Sequence, residues 1–414
     1  MQGMYRPRLL SNRLVALAAA FPAVVVGGAR QVGKTTLLRH LFPGHDYVVF
    51  DPSIDLENAR REPDLFLDNH PPPLILDEIQ YAPELVSALK RRIDRSGARP
   101  GQYLLTGSQQ WQVLRSVSES LAGRAVFLDL HGFSLQELGG ATATPGWLAR
   151  WLGDPAGFLT GAREADRLAL PLLEWLWRGS LPAAAALDAA LVPDFWSSYQ
   201  RTYVERDARL AGNVDDWQDF GRFVRLMSAL TAQEINASQL GREIGLTPQT
   251  ARRWLKILEA TYQWRELPAF SGNPVKRVAG RSKGHIADSG LACFYAGIAS
   301  PGALGAHPAF GPLFETALVG EIVKQSGALT PSPALHHWRS AGGAEVDLLI
   351  EWNGVLHPVE FKLTANPGRR QASGIQAFRA AHPHRAVAPG LLVCAVEHPR
   401  RISEDVLAMP WNLL

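Results

Sequence analysis

Cysteine is scarce in this chain: 414 residues contain two, Cys293 and Cys394, too few for a disulfide framework. Neither has a Cys or His at metal-ligand spacing, so no structural zinc site is expected. Excess charge is also missing, since 42 Lys and Arg face 39 Asp and Glu for a net +3. Such a balance permits nucleic-acid contact but does not argue for it, so local clusters must carry that case. No uninterrupted apolar run reaches membrane-spanning length; Ala169–Val192 is broken by Glu174, Arg178, Pro182 and Asp188. Arg6, Arg8 and Arg13 ahead of the apolar run Leu14–Val26 resemble a secretory signal. That run, however, feeds straight into a motif that cleavage would leave without its supporting strand. The expectation is a soluble, cytoplasmic protein with no membrane partner. At 46% hydrophobic it can build roughly two to four domains with real cores.

What is present is organised around Gly27–Leu38. Gly28-Ala29-Arg30-Gln31-Val32-Gly33-Lys34-Thr35, followed by Thr36, fits the phosphate-binding loop pattern. Its glycines let the backbone wrap tightly enough for successive N–H groups to point at phosphate oxygens, and the following helix adds its positive end. Lys34 is placed to reach the β and γ phosphates, and the Thr35 hydroxyl to ligate Mg²⁺. Ala23–Val26 reads as a buried strand entering the loop and Thr35–Phe42 as a helix leaving it. The plainer alternative is a glycine-rich turn before an ordinary helix.

Downstream, Tyr47–Asp51 reads as a second strand, and Leu74-Ile-Leu76 as an apolar strand ending in Asp77-Glu78. There Asp77 would hold Mg²⁺ through water and Glu78 would orient or deprotonate the attacking water. The alternative is the ordinary preference of helix N-termini for acids. The strand beginning at Tyr103 closes on Thr106, Ser108 and Gln109, which should face the γ phosphate from the carboxyl end of a parallel sheet. Arg124, before the strand Ala125–Leu130, is either an arginine finger for a neighbouring subunit or a packing or salt-bridging arginine. Strands alternating with helices predict an α/β fold on a parallel sheet. No guanine-reading Asn-Lys-x-Asp is present, which favours ATP with Mg²⁺ as cofactors.

GARQVGKTTLL, LILDEIQ, LLTGS and SLAGR, in this order, resemble the bacterial and archaeal AAA-type ATPases that carry a C-terminal domain of unknown function (DUF4143). Tyr203–Asp207 and His285–Gly290 also resemble motifs of that family, and the likeness is weakest between Ala141 and Arg178. The resemblance implies an AAA-like core with a winged-helix segment and a nuclease-like C-terminus, expected as a homo-oligomer. The corresponding domains are 1–140 (phosphate-loop ATPase), 141–225 (helical lid), 226–300 (winged helix) and 301–414 (nuclease-like).

Read directly, Asn236–Glu243 and Thr247–Ala260 are two short helices split by Gly245, with Thr247-Pro248 as cap and first turn. The spacing suits a helix-turn-helix presenting Thr250, Arg252, Arg253 and Lys256. A basic stretch follows, Lys276, Arg277, Arg281 and Lys283, as in the wing of a DNA-binding unit. Its alternative is a packing module with a solvated loop. Tyr203, Arg206 and Asp207 read as a buried ion-pairing set coupling the lid to the nucleotide.

At the C-terminal end Gly311–Lys324 reads as a helix carrying Glu315, with Glu321 a weaker candidate facing another way. Glu345–Trp352 and Val355–Leu363 form a hairpin turned by Asn353-Gly354. Strand alternation puts Glu360 and Lys362 on one face. Glu315, Asp347 and Glu-x-Lys resemble the PD-(D/E)xK nucleases, including Holliday-junction resolvases. This resemblance implies that Asp347 and Glu360 share a divalent metal, with Glu315 near and Lys362 beside a scissile phosphate. The alternative is a hairpin bearing ordinary charges. The leading functional expectation is Mg²⁺-dependent ATP hydrolysis coupled to action on duplex or branched DNA, which the last domain binds or cleaves. The second is a nucleotide-controlled switch or scaffold that captures a partner without cutting.

Overall fold

The computed structural model describes residues 5–51, 57–109, 121–161, 167–204, 214, 216–272 and 280–414. Five parallel strands open the chain: β1 (Ala23–Gly27), β2 (Asp46–Val49), β3 (Leu74–Asp77), β4 (Tyr103–Gly107) and β5 (Ala125–Asp129). Their order, β2-β3-β4-β1-β5, puts β1 inside the sheet, so every residue of AVVVG is buried. Alternation divides this strand between two cores. Val24 and Val26 join Leu14, Leu37 and Leu104 on one side, while Ala23 and Val25 join Leu76, Leu89 and Ile93 on the other. The helices Ser11–Ala20 and Lys34–Leu41 cover the first face and Leu85–Arg95 the second. The loops following β1, β3 and β4 therefore gather at one edge of the sheet.

A tryptophan-rich helical segment comes next. Trp151, Trp175, Trp177 and Trp196 are buried on the helices Trp147–Gly153, Leu172–Arg178 and Val192–Tyr199. The helix-turn-helix follows as Ala237–Ile244 and Pro248–Ala260, with Gly245 at φ +76° in the turn and the Thr247 hydroxyl accepting from the Thr250 N–H at 3.1 Å. The preceding helix, Trp217–Ala229, packs on both of these helices and on the sheet behind them. A boundary at 225/226 thus cuts a helix that belongs with the winged unit: its buried Phe220 and Phe223 meet Trp254 edge to face. The sheet of this unit is antiparallel, in the order β6-β8-β7, from β6 (Gln233–Glu234), β7 (Trp264–Leu267) and β8 (Lys283–Ile286). Lys276 and Arg277, expected in a wing, lie outside the described residues, as do Arg206 and Asp207.

The last unit is a mixed sheet, β13-β14-β12-β11-β10-β9, made from β9 (Ala334–Arg339), β10 (Glu345–Trp352), β11 (Val355–Lys362), β12 (Gly390–Cys394), β13 (Arg400–Ser403) and β14 (Val406–Pro410). The hairpin between β10 and β11 turns on Asn353 and Gly354 at φ +49° and +79°, where the left-handed backbone favours these two residue types. The chain after β7 adds itself to β9: the Phe270 N–H donates to the His337 carbonyl at 2.7 Å, and the His337 N–H to that of Pro268 at 3.1 Å. This seam stitches the winged unit to the last sheet and holds β8 against it. Among the described residues no helix is long and apolar enough to cross a membrane.

Candidate nucleotide site and a second acidic cluster

The loop after β1 takes its shape from backbone that only certain residues tolerate. Gly28 lies at φ +145°, and a Cβ there would stand 2.1 Å from the Leu130 carbonyl oxygen. Gly33 is at φ +95° and Gln31 at +62°, both left-handed. Lys34 opens the helix, and its ammonium donates to the carbonyls of Gly28 and Ala29 at 2.9 and 3.0 Å. Val32 is buried and Thr36 exposed. Behind the loop Arg8, itself buried, donates to the Val32 carbonyl at 2.7 Å and pairs with Glu137 at 3.0 Å. Glu137 in turn caps the turn at Ser134. Arg8 and Glu137 thus brace the loop, and their separation of more than a hundred residues hides this from the sequence.

Asp77 ends β3, buried among hydroxyls. One carboxylate oxygen accepts from Thr35 at 2.6 Å and from Tyr47 at 2.7 Å; the other accepts from Thr106. Burial and this bond to Asp77 push the Tyr47 phenol up, which keeps it a donor. Among the described residues no ammonium or guanidinium pairs with Asp77. Glu78, at φ +59°, donates its N–H to Thr106 at 3.0 Å. Its carboxylate lies 3.8 Å from Arg30 and accepts from Gln80, whose amide also reaches Ser108 at 3.1 Å. Gln109 is buried beside them. The loop and the ends of β3 and β4 therefore converge: Thr35, Asp77, Glu78, Thr106 and Ser108 form one cluster with Lys34 at its side. Tyr47, Gln80 and the role of Arg30 are additions that only the fold shows.

These residues fit a nucleotide with Mg²⁺. A side chain at Gly28 would collide with the Leu130 carbonyl and one at Gly33 would strain its backbone at φ +95°, and a carboxylate satisfied by hydroxyls keeps its charge for a cation. Beside the loop, Ala29 and Val32 wall a small cavity of about 40 Å³ that Tyr199, Tyr262, Arg265 and Lys324 also line. Burial lowers Arg265 to about 10 and pulls Lys324 and His131 down as well. Arg265 belongs to β7, so the winged unit contributes a guanidinium close to the phosphate loop.

Residues 20–139 match the family described as the AAA domain. Residues 171–302 match a domain of unknown function, DUF8612, and residues 310–414 match another, DUF4143. The likeness to uncharacterized proteins of Mycobacterium tuberculosis and Mycobacterium bovis runs through all three. Each is 28% identical over 390 residues, covering 94% of this chain and 80% of the relative. Among solved structures, a Walker-type ATPase of Pyrococcus abyssi is similar at 13% identity and a TM-score of 0.38, covering 72% of this chain and 100% of its own. The RuvB Holliday junction branch migration motor of Thermotoga maritima is similar at 15% and 0.30, covering 67% and 92%.

Arg124 stands apart from the sheet edge that carries the phosphate loop. It precedes β5, at the opposite end of the parallel sheet, and grips Asp94 through two bonds of 2.6 and 2.9 Å. That is the salt-bridging alternative within its own chain, and a finger supplied to a neighbouring subunit stays a proposal.

The second acidic cluster lies where β8 meets the last sheet. Asp347 on β10 and Glu360 and Lys362 on β11 do converge: the Lys362 ammonium is 3.1 Å from Asp347 and 2.9 Å from Glu360. The Phe361 N–H also donates to Asp347, at 3.0 Å. Glu315 arrives from the helix Phe310–Ser326. Lys283, expected on an exposed wing, is instead buried in β8, 2.5 Å from Glu315 and 3.4 Å from Asp347. The strand Lys283–Ile286 is buried throughout, which turns this lysine inward. Arg281 remains exposed.

This donor set does not fit a shared divalent ion. Two ammonium groups already occupy the space between the carboxylates, and an oxygen of Glu360 lies against Gly374, 2.1 Å from where a Cβ would stand. Among the described residues no group of three or more His, Cys, Asp or Glu is placed to hold a metal. The expectation that Glu315, Asp347 and Glu360 ligate Mg²⁺ is therefore corrected. Burial and Asp347 push Glu315 up to about 8, burial likewise holds Glu360 well above the usual carboxylate range, and the two lysines keep Asp347 low. Glu321 serves packing: buried, it accepts from the Leu135 N–H at 3.0 Å and from Gln325 at 2.9 Å.

Proposed function

We propose that this chain is a Mg²⁺-dependent ATPase whose nucleotide cycle acts on DNA held by its winged unit, and that its last domain does not cut nucleic acid. The observation that carries the first half is the convergence of Thr35, Asp77, Thr106 and Glu78 beside Lys34. In this reading Thr35 and Asp77 hold the magnesium ion, which offsets the charge of the transferred phosphoryl group. Lys34 leaves its loop carbonyls for the β and γ phosphates. Glu78, steadied by Gln80 and Arg30, orients the attacking water and accepts its proton.

DNA contact is supported by the helix Pro248–Ala260. Ala251, Trp254, Leu255 and Leu258 are buried, while Arg252, Arg253 and Lys256 are exposed together on the outer side. Thr250 spends its N–H and hydroxyl on the Thr247 cap, so it contributes less. Assembly as a homo-oligomer belongs to the same proposal, and sedimentation with and without ATP tests it. For DNA, the test is binding to duplex and branched substrates across a salt series. Changing Arg252, Arg253 and Lys256 to Ala should lower affinity and reduce the slope of log affinity against log salt by about 0.9 for each phosphate no longer neutralised. An unchanged slope, together with ATP turnover indifferent to DNA, would instead favour the switch or scaffold that captures a protein partner.

A further inference from the structure

We infer that Lys283, reaching from the winged unit, is the resident cation of the carboxylate cluster in the last domain, standing where a divalent ion would otherwise sit, so that the cluster is a closed, metal-free clasp and a latent metal site. The inference concerns a different cluster from the nucleotide site and stands whether or not the chain hydrolyses ATP.

Three observations lead here. The Lys283 ammonium lies between two carboxylates from two elements of the last domain, 2.5 Å from Glu315 on its helix and 3.4 Å from Asp347 on β10. It is buried, so water does not screen those pairs as it would at a surface. Nor is it a chance visitor. The Phe270–His337 seam fixes the chain leaving β7, and β8 is paired to β7 from Trp264↔Ile286 to Leu267↔Lys283. The neighbouring His285 is held neutral by burial and bonds Thr316 at 3.1 Å, so it adds no second charge from β8.

Charge explains why one lysine decides the cluster's character. Carboxylates crowded together repel, and the repulsion is relieved by a proton, an ammonium or a metal ion. Lys362 alone faces Asp347 and Glu360 and leaves Glu315 unmatched. Lys283 supplies the match. Removing its ammonium leaves three carboxyl groups facing one ammonium and a vacancy bounded by oxygen donors, where a hard divalent cation can displace the protons that Glu315 and Glu360 hold. An ammonium carries one charge and cannot polarise a phosphate or acidify water as Mg²⁺ does, so with Lys283 seated the cluster has no means of metal-assisted hydrolysis.

The test uses the full-length protein with Asp77→Asn in every variant, which silences the nucleotide-site ion, and Mn²⁺ as probe, read by the loss of free-ion electron paramagnetic resonance signal. With Lys283 intact, no site filled by sub-millimolar Mn²⁺ is expected. Lys283→Ala should create about one site per chain, lost again on adding Asp347→Asn, while Lys283→Arg, which keeps a cation, should create none. Mn²⁺ binding by the Lys283-intact protein that disappears with Asp347→Asn would overturn the inference. So would a folded Lys283→Ala protein that binds no Mn²⁺. If Lys283→Ala does not fold, the Lys283-intact pair with and without Asp347→Asn still decides whether the cluster takes a metal.

Discussion

Asp77 and Asp347 are almost equally buried, at 3% and 2% exposure, yet their surroundings are opposite. Asp77 is satisfied by the hydroxyls of Thr35, Tyr47 and Thr106. Asp347 is flanked by the ammonium groups of Lys283 and Lys362. Hydroxyls solvate a carboxylate without cancelling its charge, so the first aspartate still attracts a cation. Ammonium groups cancel it, so the second does not. Burial and acidity alone therefore do not identify a metal site; the chemistry of the partners does.

The comparison can be broken most sharply at Glu78. Glu78→Gln leaves the loop intact, so ATP should bind with near-normal affinity while turnover falls by roughly 10²–10⁴-fold, measured by phosphate release. No counterpart loss is expected from Glu360→Gln, because nothing in the second cluster performs hydrolysis in this account. Asp347→Asn should instead strike stability. It leaves Lys283 paired only with Glu315 and Lys362 only with Glu360, and should cost about 1–3 kcal/mol in urea denaturation of the last domain. Asp77→Asn, which removes a hydroxyl-bonded charge that has no ion-pair partner among the described residues, should cost less. Lys34→Ala comes next. Losing a charge-assisted bond worth about 2 kcal/mol should weaken ATP binding roughly thirtyfold by calorimetry, with the fold unchanged.

The smallest effect is in pH. Glu315 is pushed from 4.5 up to about 8, so the folded state holds a proton that the unfolded state releases between those values. Stability should fall as pH rises through that window. Glu315→Gln should make the decline shallower between pH 6 and 9, and an identical slope would remove Glu315 from the account.

The first site was largely legible because its chemistry is local. A phosphate loop, a strand ending in Asp77-Glu78 and a strand ending in Thr106 each announce themselves within a few residues, and a parallel sheet must bring their ends together. The helices, the Asn353-Gly354 turn and the Glu360/Lys362 face followed from periodicity in the same way. Lys283 was misread because its neighbourhood is basic, and a run of Lys and Arg reads as solvated. Only the pairing of β8 with β7, and the seam to β9, turn that one side chain inward. Arg8, Tyr47 and Arg265 escaped for a related reason: each acts on a partner brought near by tertiary packing, with no local pattern to mark it. The pairing of Arg124 with Asp94, on the helix Leu85–Arg95, at the far end of the sheet likewise had no local pattern to mark it.

The central contrast is tested most directly by counting tightly bound Mn²⁺ on the wild-type chain in the presence of ATP. One ion per chain is expected, lost with Asp77→Asn and unchanged in every protein carrying Asp347→Asn that remains folded. A second ion per chain that vanishes with Asp347→Asn would contradict it.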